Sequence, residues 1–94
     1  MSNNDPLTLF ALGYKIGILH YKAVQAFLNK PEWMLEEWIK NLAESISSSY
    51  RDFHMNLKDN DNRAAHSNWA WMWYCVGELC AYLDVLDKKE YDEL

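Results

Sequence analysis

The sequence predicts an all-α fold: a small three-helix domain assembled into a homo-oligomer. Three observations carry this. Apolar residues recur every three or four positions through three long stretches, which is the period of an α-helix rather than of a strand. Only three glycines and two prolines interrupt 94 residues, and no alternating strand pattern occurs. The chain is half hydrophobic, with five Trp, six Tyr and three Phe, enough to fold but with a thin core relative to its surface.

The first helix is expected over residues 6–29. Asp5 can cap it and Pro6 is a favoured first residue, because its missing N–H would be unpaired there anyway. Leu9, Leu12, Ile16, Leu19, Ala23 and Phe27 form the periodic stripe. Asn29-Lys30-Pro31 ends the helix, since the residue before a proline avoids the α region.

The second helix is expected over 31–57, with Leu35, Trp38, Leu42, Ile46, Tyr50, Phe53 and Leu57 on one stripe. Glu36, Glu37, Lys40, Glu44 and Arg51 lie mostly on the other side. Ser45 and the run Ser47-Ser48-Ser49 have poor helix propensity and are expected to loosen or bend it. Lys58-Asp59-Asn60-Asp61-Asn62 is a polar turn in which Asp61 or Asn62 can cap the next helix.

The third helix is expected over 62–87, followed by an acidic C-terminal tail. Ala65, Trp69, Met72, Val76, Leu79, Leu83 and Leu86 form one stripe, and Trp71, Cys75 and Tyr82 a second. A helix that is apolar on two faces needs two neighbours, and another protomer is the expected second one. The whole chain, 1–94, reads as a single helical domain.

The net charge of −5 is unevenly spread. Residues 1–30 carry three lysines against one aspartate, net +2, while residues 31–94 carry six basic and thirteen acidic side chains, net −7. An acidic body argues against long nucleic acid, which needs several phosphates neutralised. No apolar run is long enough to cross a membrane and no secretory leader is visible, so a cytoplasmic location is expected. Cys75 and Cys80, five apart on a helix, point to different faces and are expected to stay free thiols.

The basic island is built on a doubled pair, Tyr14-Lys15 and Tyr21-Lys22, with Gly13 and Gly17 between and before them. Seven residues is about two helical turns, so the tyrosines align on one edge and the lysines on the next. Tyrosine can stack on a base, and lysine offers a mobile point charge to phosphate. Tyr14, Lys15, Tyr21, Lys22 and, beside the helix break, Lys30 are therefore the candidate ligand-binding residues. In the competing reading the tyrosines are core and the lysines a solvated edge. The glycines can serve close helix packing or leave room for a ligand.

No catalytic or metal-binding constellation is visible. His20, His54 and His66 are scattered one to a helix, and His-Glu-x-x-His or paired Cys-x-x-Cys spacings do not occur. Asp59-Asn60-Asp61-Asn62 has a passing likeness to a calcium loop. Counted from Asp59, however, alanines stand where that loop needs glycine and glutamate, at Ala64 and Ala70. Phosphate-binding loops and nucleophile elbows are likewise missing. The expectation is a protein that is not an enzyme and uses no cofactor or metal.

The three-helix design and the segment Leu12-Gly13-Tyr14-Lys15-Ile16-Gly17 resemble the small phage anti-CBASS proteins that sequester cyclic oligonucleotides. The resemblance implies a compact helical protein assembling as a hexamer, with cyclic dinucleotides held uncleaved between protomers in the host cytoplasm. It also implies a ligand-contacting tyrosine, here Tyr14, and a lysine, here Lys30 or Lys22. The alternative expectation is an acidic protein–protein inhibitor or immunity-type protein, using the helix that carries Glu32, Glu36, Glu37, Glu44 and Asp52.

Overall fold

The computed structural model describes residues 5–27 and 32–92. Three helices, α1 (Pro6–Gln25), α2 (Glu32–Lys58) and α3 (Asn62–Asp92), account for nearly all of them. The helix ends follow local chemistry. Asp5 accepts a hydrogen bond from the Leu7 N–H at 3.2 Å and opens α1 as its cap. At the far end, Phe27 N–H donates to Val24 at 3.0 Å, so the last turn tightens. α1 therefore stops at Gln25 rather than at residue 29. The Asn29-Lys30-Pro31 break and the expected start of α2 at residue 31 lie outside the described residues.

α2 is continuous helix through its serines. Asn60 adopts φ 61° after the last turn, and Asp61 N–H reaches back to the Asn56 carbonyl at 2.8 Å. This is a left-handed closure of the kind asparagine tolerates. Asp61 Oδ1 then accepts from Ala64 N–H at 3.1 Å and caps α3. α3 runs to Asp92, so helix replaces the expected tail after residue 87.

α3 is the spine, and both other helices pack along it. α1 lies parallel to α3, with Gly13 against Tyr74 and Gly17 against Ala81. α2 runs back the other way, with Asn56 donating to Asn68 at 2.6 Å near one end and Trp38 on Tyr82 near the other. Among the described residues the backbones of α1 and α2 do not meet. They are bridged by side chains at one end, where His20 stacks on Trp38 with ring centroids 4.4 Å apart. The molecule is accordingly elongated, 50 × 28 × 24 Å.

α3 thus meets α1 through Tyr74, Gly77 and Ala81 and meets α2 through Asn68 and Tyr82, while Trp71 and Leu83, one from each of its apolar stripes, stay exposed.

The α1–α3 crossing is made by glycine. A Cβ on Gly13 would collide with the Tyr74 carbonyl oxygen, and one on Gly77 with that of Phe10. A Cβ on Gly17 would stand 2.7 Å from Ala81 Cβ. Gly13 and Gly17 therefore face a helix, and backbone contact offsets the roughly 1 kcal/mol that each costs relative to alanine.

Turning the glycines inward rolls the expected stripe outward. Leu12, Ile16 and Leu19 are 47%, 39% and 52% exposed, while Gly13, Gly17 and Tyr21 are buried. α2 shows a smaller rotation of the same kind. Leu35, Trp38, Leu42 and Ile46 turn inward as expected, but Ser49 is buried while Tyr50 and Leu57 are exposed. On α3, Cys75 and Tyr82 are buried, whereas Trp71 is exposed and stacks on Tyr74.

Candidate functional site

Tyr21, Leu35 and Tyr82 form the buried cluster where the three helices converge, with Trp38, Ile39, Leu42 and Val85 packed around it. A polar chain threads this cluster. Tyr82 Oη donates to Glu78 Oε1 at 2.9 Å and stands 2.9 Å from His20 Nδ1, which places the His20 proton on Nδ1. Burial first, and then the bond to Glu78, push the Tyr82 phenol far above its ordinary pKa. A phenol so hard to ionise anchors structure and does not act as a base.

Beside this cluster, α1 and α3 leave a groove of about 510 Å3. Its α1 wall carries Tyr14, Ile18, Tyr21, Lys22 and Gln25, and its α3 wall Asp84, Val85 and Lys88. The size falls in the range of about 300–1,000 Å3 usual for small-molecule sites. The walls are mainly apolar, and the polar groups concentrate at the rim as two lysines, one carboxylate, one phenol and one amide.

Tyr14 Oη donates to Asp84 Oδ2 at 2.8 Å across the groove. That hydrogen bond, more than burial, raises the Tyr14 pKa, so the phenol stays protonated. Asp84 spends one oxygen on Tyr14, which ties the single acid of the groove to its aromatic wall. Lys22 and Lys88 leave the groove with one positive charge in excess.

The sequence-derived candidates separate. Tyr14, Tyr21 and Lys22 meet in the groove. Tyr21 is only 6% exposed, so its ring is the groove's floor and part of the core. Tyr21 thus lines the same groove as Tyr14 but belongs to the buried cluster with Leu35 and Tyr82. Lys15 is exposed and lines none of the groove, since it points along the outer face of α1 with Leu12 and Leu19. Lys30 lies outside the described residues.

Asp84 and Lys88 were missed by sequence reasoning. They are 70 and 66 positions away from Tyr14 and Lys22, and only the parallel docking of α1 on α3 brings them together.

Cys75 and Cys80 are free thiols. Burial and then the nearby Glu78 carboxylate push Cys75 up to about 11, and burial followed by Asp84 raises Cys80. Neither has the lowered pKa of a reactive cysteine. No group of three or more His, Cys, Asp or Glu able to hold a metal occurs among the described residues. No described helix is long and apolar enough to cross a membrane.

Comparison of the chain with protein-family models, with curated proteins and with solved structures found no match.

Proposed function

We propose that this chain is a non-catalytic binding protein that sequesters a small anionic nucleotide signal, of the cyclic-oligonucleotide class, in the α1–α3 groove. The observation that carries the reading is the meeting of Tyr14, Lys22 and Lys88 along one apolar-walled groove. Tyr14 supplies a ring for a base, and the two lysines neutralise phosphate. Gln25 adds a donor and an acceptor at the rim. The groove is open on its solvent side, and a second protomer closing it would slow release. In a host cell such a protein removes an immune signal without destroying it.

Isothermal titration with 3′,3′- and 2′,3′-linked cyclic dinucleotides tests this. The expected result is saturable binding that Tyr14→Ala and Lys22→Ala each weaken by at least about tenfold, or 1.4 kcal/mol. Lys88→Ala is expected to do the same, and recovered ligand is expected to be chemically intact. Absence of heat with every species, from a protein whose helical spectrum is normal, sinks the proposal.

A second reading is favoured by a separate observation. The outward Leu12, Ile16 and Leu19 give α1 an apolar face that suits a protein partner. An inhibitor of that kind is expected to form a stable complex that Tyr14→Ala leaves unchanged.

A further inference from the structure

The serines of α2 stay within continuous helix, and three of them open a hollow against α3. Leu35, Leu42, Ser49 and Asn56 stand seven apart on the inward side of α2, so its apolar seam turns polar halfway along. Asn56 finds a partner across the interface, Asn68 at 2.6 Å. Ser49 does not. It is 7% exposed, and among the described residues its hydroxyl has no hydrogen-bond partner. A hydroxyl placed so deep without a protein partner costs stability, and Ser49 lines the hollow.

The hollow measures about 440 Å3, with Asn41, Glu44, Ser45, Ser48 and Ser49 of α2 on one side and Trp71 of α3 on the other. The α2 positions follow i, i+3, i+4, i+7 and i+8 spacing, so they share one helix face. None of their side chains makes a hydrogen bond or ion pair with another described residue. Trp71 is 54% exposed, and Tyr74 stacks on its indole with centroids 5.5 Å apart and planes 20° apart. That stack holds the ring in place and leaves it open as a platform.

We propose that this α2–α3 hollow binds a neutral sugar ring, with Trp71 against its face and the α2 side chains around its hydroxyls. Among the described residues no lysine or arginine lines the hollow, so it does not suit an anion. An organic cation is best held by several aromatic faces, and Trp71 is the one ring supplied here. A sugar needs donors and acceptors together, and three serine hydroxyls and the Asn41 amide offer both. Glu44 accepts from two neighbouring sugar hydroxyls through its two oxygens. The C–H face of a pyranose is apolar and rests on the negative face of the indole.

The hollow and the α1–α3 groove share no lining residue. The sugar site therefore stands or falls apart from the nucleotide reading.

Titration of the intact, isotope-labelled chain with glucose, galactose, mannose, N-acetylglucosamine and maltose, followed by NMR, reads the result. At least one sugar is expected to shift the Trp71 indole N–H and the Ser45 and Ser49 amides saturably. Trp71→Ala is expected to weaken that binding at least about tenfold with an unchanged helical spectrum, since the ring lies at the surface. Ser45→Leu fills the hollow and is expected to do the same. Should it unfold, Ser48→Leu at an exposed position takes its place. Tyr14→Ala and Lys22→Ala are expected to leave sugar binding unchanged. Sugars that move none of these signals would overturn the proposal, as would shifts that survive Trp71→Ala. Choline serves as the cationic probe, and choline binding at Trp71 in place of every sugar would overturn it too.

Discussion

Tyr14 and Asp84 stand 70 residues apart in sequence, and the phenol of the first donates to the carboxylate of the second at 2.8 Å. This one bond spans the groove and couples its aromatic wall to its only acid. Asp84→Asn removes a negative charge from beside Lys22 and Lys88, so the groove becomes a better anion site. Titration with a cyclic dinucleotide is expected to show tighter binding by several-fold, whereas Tyr14→Phe keeps the ring and changes affinity less than Tyr14→Ala.

The two tyrosines of the repeated pair are expected to separate in a stability assay. Tyr21 is a core residue, and Tyr21→Ala should cost about 3–5 kcal/mol in urea unfolding. Tyr14→Ala removes a partly exposed ring and one exposed hydrogen bond, and should cost no more than about 1 kcal/mol. Equal losses would mean that the rings share one environment.

Gly13→Ala is expected to destabilise by at least about 3 kcal/mol despite alanine's better helix propensity. The added methyl meets the Tyr74 carbonyl, and backbone cannot step aside as a side chain can. Gly77→Ala should behave alike, because it meets the Phe10 carbonyl. Gly17→Ala should cost less, since its neighbours are the Ala81 methyl and the Glu78 backbone and flexible side chain. Thermal unfolding of the three variants gives the order directly.

Tyr82→Phe deletes the hydroxyl that links the exposed His20 to the half-buried Glu78. A loss of about 0.5–1.5 kcal/mol is expected, because both freed partners can turn to water. His20→Ala should lower stability too, through its stack on Trp38, which joins α1 to α2.

Cys75 is 1% exposed and its thiol is held at about 11 against an ordinary 9.0. A raised folded-state pKa means that the unfolded chain loses its proton first. The contribution of Cys75 to stability is therefore whole below pH 9 and declines as pH rises through 11. Cys75→Ala should flatten that alkaline decline. In the native protein at pH 8, a thiol reagent should modify Cys80 well before Cys75.

Helix number, caps and the polar turn were legible in the sequence because they depend on neighbours in the chain. Asp5, Pro6 and Asp61 act on backbone groups within a few residues of themselves. The aliphatic stripe of α1 misled for a physical reason. Periodicity identifies a seam but does not say whether the seam meets this chain or another. Gly13, Gly17 and Gly77 show the alternative, since bare backbone on two helices permits an approach that bulky leucines would block.

By itself the sequence determined an all-α chain of three helices, a basic first helix and an acidic remainder. It also placed Tyr14 and Lys22 two turns apart on a single helix. Only the tertiary structure decided that α1 lies parallel to α3, and hence that Asp84 and Lys88 complete the groove. It also decided that Tyr21 belongs to the core while Leu12, Ile16 and Leu19 face outward. Helix rotation is the reason: a turn of α1 about its axis leaves every local interaction intact, and close packing against α3 alone selects among the rotations.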